Sequence, residues 1–147
     1  MNCWNALIAG SLLLGACTST PAAEPAAAVT PEPVPRITAN ELADRLKHSD
    51  ADLVVMDVRT PAEFSAGHVP GARNISHEQL PARLGELAAS RHKQLVLYCR
   101  SGRRSQLAAQ VLREAGFTRL LQLEGDFPGW EAAGRPVETA PAPSQED

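Results

Sequence analysis

One segment constrains this chain more than any other: an apolar, strand-like run that ends on a cysteine and passes through a glycine- and arginine-rich loop into a helical pattern. Gln94-Leu95-Val96-Leu97-Tyr98 leads into Cys99-Arg100-Ser101-Gly102-Arg103-Arg104-Ser105, and Gln106-Leu107-Ala108-Ala109-Gln110-Val111-Leu112 follows. A strand, a tight loop and a helix N-terminus in that order form an anion cradle. The loop N–H groups converge, and the positive end of the helix dipole points the same way. A thiol placed there ionises easily, because its thiolate is the anion being stabilised. Gly102 lets the backbone curl without steric cost. Arg100 and Arg103 add positive potential that attracts small oxyanions. Ser101 and Ser105 supply hydroxyl donors, and Ser105 is also a candidate helix cap. The bland reading of Cys99, a buried inert cysteine, is disfavoured by the arginines and glycine that follow it.

The remaining pattern alternates strands and helices. Thr38-Ala39-Asn40-Glu41 reads as a capping box opening a helix with Leu42 and Leu46 on one face. Leu53-Val54-Val55-Met56 is a near-continuous apolar run, as in a strand covered on both faces. Thr60-Pro61-Ala62-Glu63 is a second capping box, with Pro at the first helical position, and its helix stops at Gly67. Arg73-Asn74-Ile75 is a short strand candidate, and a helix is predicted from Pro81 through Ala89. A helix over Ser105 to Ala115, closed by Gly116, follows the cysteine loop. Leu120 to Leu123 is a further strand, and Asp126 to Ala133 a last helix. Such alternation implies an α/β fold, a mainly parallel sheet of about five strands with helices on both faces. In such sheets, sites form beyond the carboxyl ends of strands, where Cys99 sits.

The chain has 147 residues, enough for one domain of about 100 residues plus appendages. Aromatics are 4% of the chain, so the core must be aliphatic; a net charge of −3 without aromatic-basic interleaving argues against nucleic acid as a partner. Of three cysteines, Cys3 and Cys17 flank an N-terminal apolar run and Cys99 stands alone in the body of the chain. No Cys/His cluster has zinc spacing, so neither a metal nor a cofactor is expected. Ala6 to Ala16 is apolar but too short for a membrane span, and it fits the core of a signal peptide over residues 1–16. Leu14-Gly15-Ala16-Cys17 resembles the lipobox of bacterial lipoproteins, although Met1 to Asn5 lacks the usual Lys or Arg. That resemblance implies cleavage before Cys17 and lipidation of it. It places the protein on the periplasmic face of a bacterial envelope, with Thr18 favouring the outer membrane; ordinary secretion is the alternative. Residues 17–36 read as a Pro/Ala-rich spacer, 37–138 as the folded domain, and 139–147 as a disordered acidic tail.

Within that domain the motifs resemble the single-domain sulfurtransferases of the rhodanese family. They are Asp57-Val58-Arg59, Glu63-Phe64, Gly67-His68-Val69-Pro70-Gly71-Ala72-Arg73-Asn74-Ile75, Cys99 to Ser105, Leu123-Glu124-Gly125 and Trp130. The match runs from about Ile37 to Pro136. One departure is Asp126, where many relatives carry a second glycine; it changes local backbone freedom and removes no named chemical group. The resemblance implies that a Cys99 thiolate takes the outer sulfur of a donor such as thiosulfate. The resulting persulfide is then passed to cyanide or a thiol. It also implies that Arg104, last in the six-residue loop, is the loop's charged partner, and that Asp57 supports the loop. Arg59 and Glu63 are most simply a structural ion pair, His68 scaffolding, and Trp130 core or pocket wall. Oligomeric state is open.

Two other functions compete. Cysteine-dependent phosphatases and arsenate reductases use Cys-x5-Arg, which needs Arg at position 105; that position is Ser105, and the arginine arrives at Cys-x4-Arg. A non-catalytic rhodanese-like binding module commonly lacks the cysteine or disrupts the loop, and here both are intact.

Overall fold

A computed structural model describes residues 33–140. The expected signal peptide, Cys17, most of the spacer and residues 141–147 lie outside the described residues. Among the described residues no helix is long and apolar enough to cross a membrane.

The strands are β1 (Arg36–Ile37), β2 (Leu53–Asp57), β3 (Arg73–Asn74), β4 (Gln94–Tyr98) and β5 (Leu120–Leu123). They form one sheet in the order β1-β5-β4-β2-β3 with every pair parallel. The helices are α1 (Ala39–Lys47), α2 (Pro61–Ala66), α3 (Leu80–Arg83), α4 (Arg103–Glu114) and α5 (Asp126–Ala132). Alternation along the strands divides the core in two. Met56, Leu95, Leu97 and Cys99 face Leu80, Leu87, Ala108 and Leu112 of α3, its continuation and α4. Val55, Val96, Tyr98 and Leu123 face Leu42, Phe127 and Trp130 of α1 and α5. With helices on both faces, the apolar runs of β2 and β4 are continuous for the reason the sequence suggests.

Helix starts follow local chemistry. Thr60 accepts from the Glu63 N–H, and Glu63 answers on the Thr60 N–H at 3.0 Å, so the second capping box is complete. Thr38 caps α1 by accepting from the Glu41 N–H at 3.2 Å, the forward half of such a box. The helix expected over Pro81 to Ala89 is instead one α turn followed by a 3₁₀ stretch, Leu84–Ser90. Gly85 inside it is a poor α-former, and the tighter stretch still buries Leu87. Arg36 belongs to β1 rather than to an extended spacer. It pairs with Gln122, whose N–H donates to the Pro35 carbonyl at 2.8 Å. At the other end an isolated antiparallel bridge joins His68 to Glu138, and the Ala140 N–H donates to the Ser65 carbonyl.

β4 is the central strand, so Cys99 leaves the sheet at its middle. The C-terminal ends of β2 and β5 lie on either side of it. The segments that follow β2, β4 and β5 therefore deliver residues 57–63, 99–105 and 124–127 to the same carboxyl end of the sheet.

Candidate active site

Cys99 is fully buried and continues the inward register of Leu95 and Leu97. The chain then turns sharply at Gly102, whose φ of +82° is open to glycine and costly for other residues. That turn aims the Gly102 N–H at Cys99 Sγ, 3.1 Å away. Gly102 is also the N-cap of α4 and uses no side-chain cap. The helix starts at Arg103, two residues before the expected Ser105, so Arg103 and Arg104 occupy its first turn. The helix dipole and the Gly102 N–H both favour negative charge at the sulfur.

The loop is fixed on its lower side by α5. The Cys99 N–H donates to Asp126 Oδ1 at 2.9 Å, and the Phe127 N–H donates to the Cys99 carbonyl at 3.0 Å. Both peptide groups of the cysteine are thus clamped by two adjacent residues. Ser105 Oγ donates to the same Asp126 Oδ1 at 3.1 Å, and Gln122 Nε2 approaches Oδ2 at 3.5 Å. The Ser105 hydroxyl therefore bonds a carboxylate rather than capping the helix.

Arg104 makes a two-pronged bond to Glu63, with Nη1–Oε2 at 2.7 Å and Nη2–Oε1 at 2.9 Å. The Arg104 guanidinium, aided by Thr60 donors, holds the Glu63 carboxyl down to about 2 against the opposing effect of burial. Glu63 in turn raises the Arg104 pKa, with a smaller contribution from Cys99. The expected Arg59–Glu63 pair does not form. Arg59, itself buried, binds Asp57 instead, with its Nη2 2.6 Å from Asp57 Oδ2 and 2.6 Å from the Gly67 carbonyl. Burial pulls the Arg59 pKa down, but the Asp57 bonds outweigh it and leave it raised. Its guanidinium lies 4.0 Å from the Phe127 ring centroid. Burial, with the nearby Asp57 charge, pushes the Tyr98 hydroxyl well above its usual range.

Beside the loop opens a depression of about 400 Å³ lined by Arg59, Glu63, Arg100, Phe127 and Glu131 among others. Arg100 and Ser101 are exposed on its rim and in the loop, and Arg103 points to a separate groove with Arg36 and Gln122. The seven positions from Cys99 to Ser105 thus divide. Cys99, Gly102 and Ser105 are buried structural and chemical centre, Arg104 is half-buried and paired, and Arg100, Ser101 and Arg103 face solvent.

The rhodanese-like domain model matches residues 38–133. This chain belongs to the rhodanese-like domain family. A sulfurtransferase of Allochromatium vinosum is 36% identical over 104 residues, covering 71% of this chain and 94% of that protein. The thiosulfate sulfurtransferase GlpE of Shewanella oneidensis is 34% identical over 97 residues, covering 66% and 92%. A rhodanese-related protein of Thermoplasma volcanium superposes with a TM-score of 0.63 at 28% identity, over 72% of this chain and 99% of that one.

Within the rhodanese-like domain, Asp57 and Arg59 support the edge next to the loop and donate no hydrogen bond to it among the described residues. His68 is scaffolding: its Nδ1 lies 2.8 Å from the Phe64 carbonyl and its ring stacks on Phe64 at 3.6 Å. Trp130 is core, with its indole N–H on the Pro136 carbonyl at 2.7 Å. Two site contacts escape the sequence reading. The Glu63 contact with Arg104 spans 41 residues and the Asp126 contact with Cys99 spans 27. The one signal available for Asp126 was its replacement of a glycine.

Proposed function

We propose that this protein is a sulfurtransferase working through a persulfide on Cys99. The observation that carries the reading is the Gly102 N–H held 3.1 Å from Cys99 Sγ at the start of α4. That arrangement favours a sulfur anion in both states the reaction needs. In the first step the Cys99 thiolate attacks the outer sulfur of a donor such as thiosulfate. The S–S bond to Cys99 forms, the donor's S–S bond breaks, and sulfite leaves with the electron pair. In the second, cyanide or a thiol attacks the outer sulfur and the Cys99 thiolate is regenerated. Arg104, tethered to Glu63, and the exposed Arg100 and Arg103 supply positive potential for the anionic donor. The names of the relatives from Allochromatium vinosum and Shewanella oneidensis support the same reaction class.

A cysteine-dependent phosphatase or arsenate reductase is disfavoured by the loop, which reaches its last arginine at Arg104 and places Ser105 where that chemistry needs arginine. A binding module without chemistry leaves the sulfur-directed N–H without a purpose. Intact-mass measurement after incubation with thiosulfate tests the proposal, with Cys99→Ser as control. A gain of one sulfur atom by the native protein alone is expected. Hydrolysis of an aryl phosphate without sulfur uptake would replace the proposal by the phosphatase.

The proposal includes an anchor. Leu14-Gly15-Ala16-Cys17 supports lipidation at Cys17, with the Pro/Ala-rich stretch holding the domain off the periplasmic face of a bacterial membrane. Cys17→Ser should release the protein from the membrane fraction.

A further inference from the structure

Asp126 sits at φ +52°, beside Gly125 at φ +73°. A non-glycine residue there is strained, and Asp is among the few that tolerate it. A glycine would relieve that strain, so the aspartate's contribution lies in its carboxylate. That carboxylate is buried directly beneath the nucleophile, and its partners are the Cys99 N–H, the Ser105 hydroxyl and the Gln122 amide. All three are donors, an arrangement that satisfies the ionised form. All three are also neutral. The other acids near the loop, Asp57 and Glu63, are each paired with a guanidinium, Arg59 and Arg104. Among the described residues Asp126 has no ion pair. Its negative charge therefore acts on the loop with nothing but dipoles to offset it.

The charged groups around Cys99 come from four elements. Arg100 lies in the loop and Arg103 and Arg104 open α4; Glu63 stands on α2, Asp57 and Arg59 at the end of β2, and Asp126 at the start of α5. With the two ion pairs neutral as units, Arg100 and Arg103 remain on the exposed side and Asp126 on the buried side.

We propose that Asp126 is a positioning residue that also sets the charge balance of the sulfur cradle. It clamps the Cys99 peptide and the Ser105 hydroxyl, and it opposes the cradle's positive potential so that the Cys99 thiolate keeps its nucleophilicity. The inference rests on the sulfurtransferase reading. A cradle of N–H groups, a helix dipole and arginines alone stabilises the Cys99 thiolate, and a thiolate's nucleophilicity falls as its pKa falls. A fixed carboxylate bonded to the Cys99 N–H at 2.9 Å raises the energy of that anion. That nucleophilicity acts in the loading step, where the Cys99 sulfur forms a bond to the donor's outer sulfur, the donor's S–S bond breaks, and sulfite leaves with the electron pair.

Asp126→Asn isolates the charge. Asn tolerates the left-handed conformation and keeps one oxygen for the Cys99 N–H and Ser105. Gln122 can turn its amide over to present an oxygen to the new NH₂ group. Two readouts are needed in the full-length protein, both with a neutral alkylating reagent: the midpoint of the pH profile of Cys99 alkylation, and its limiting rate at high pH. The alkylation midpoint should fall by about 0.5–1 pH unit, the scale of one charge near a partly buried sulfur. The limiting rate of the fully ionised thiolate should fall by about twofold to threefold. Asp126→Gly removes the same charge while relaxing the backbone, and should move the midpoint in the same direction. A midpoint and a limiting rate unchanged in both variants would overturn the proposal and leave Asp126 a purely structural clamp. Failure of the native protein to take up sulfur would instead defeat the sulfurtransferase reading, and the alkylation profile would still report on Asp126.

Discussion

At Gly102 the backbone geometry and the chemistry coincide. A Cβ there would lie 2.8 Å from Gln122 Nε2 and 3.2 Å from Asp126 Oδ2, besides carrying the strain of φ +82°. Gly102→Ala is expected to cost about 1–2 kcal/mol of stability and to pull the N–H off Cys99, slowing alkylation at neutral pH. Urea denaturation and an alkylation time course check both. Arg104→Ala should slow sulfur loading and move the alkylation profile of Cys99 to higher pH; an unchanged profile between pH 5 and 9 would remove Arg104 from the site. At this scale the sequence brought Cys99 and its loop together because they are contiguous. It did not reveal that Glu63 serves Arg104 or that Asp126 lies under Cys99. Those contacts depend on how far apart the crossovers bring their ends, and no local pattern encodes that distance.

Between elements, two ion pairs tie the site's edges together, and they differ in burial. Arg104–Glu63 joins α4 to α2 and is partly solvated, with side chains 25% and 32% exposed. The folded-state carboxyl of Glu63 sits near 2, below its ordinary 4.5, so its contribution is complete above about pH 4.5 and is lost as pH falls toward 2. Solvent screening limits that contribution to roughly 1 kcal/mol. Thermal melts from pH 6 to 2 should show the loss in the native protein and a smaller loss in Glu63→Gln. Asp57–Arg59 is buried, with side chains 0% and 6% exposed. Asp57→Ala leaves a buried guanidinium without its partner and is expected to cost about 3–5 kcal/mol in a urea titration. The elements themselves were readable where caps and apolar runs are strong, as at Thr60 and in β2 and β4. Strand β1 was not, since two residues carry no period and only the β5 edge makes Arg36 and Ile37 a strand. The start of α4 was misplaced because a glycine N-cap offers no side-chain signal, so Ser105 looked like the cap.

For the whole molecule, the order β1-β5-β4-β2-β3 puts the nucleophile on the central strand and its supports on the flanking two. The domain's charges are then divided: the chain carries a net −3, yet the loop that follows Cys99 carries Arg100, Arg103 and Arg104. Local attraction of an anionic donor is screened by salt, so KM for thiosulfate should rise with ionic strength between about 0.01 and 0.15 M. The fold class was legible because alternating elements leave few packings, whereas the division of labour around the sulfur emerged only with the sheet assembled.

The account's central claim is that the Cys99 cradle holds a sulfur anion long enough to carry it. Stoichiometric thiosulfate added to the native protein, followed by intact-mass measurement and peptide mapping, tests it most directly. The expected result is one added sulfur atom on Cys99, removed by cyanide with release of thiocyanate. An unmodified Cys99, with sulfite never released, would contradict it.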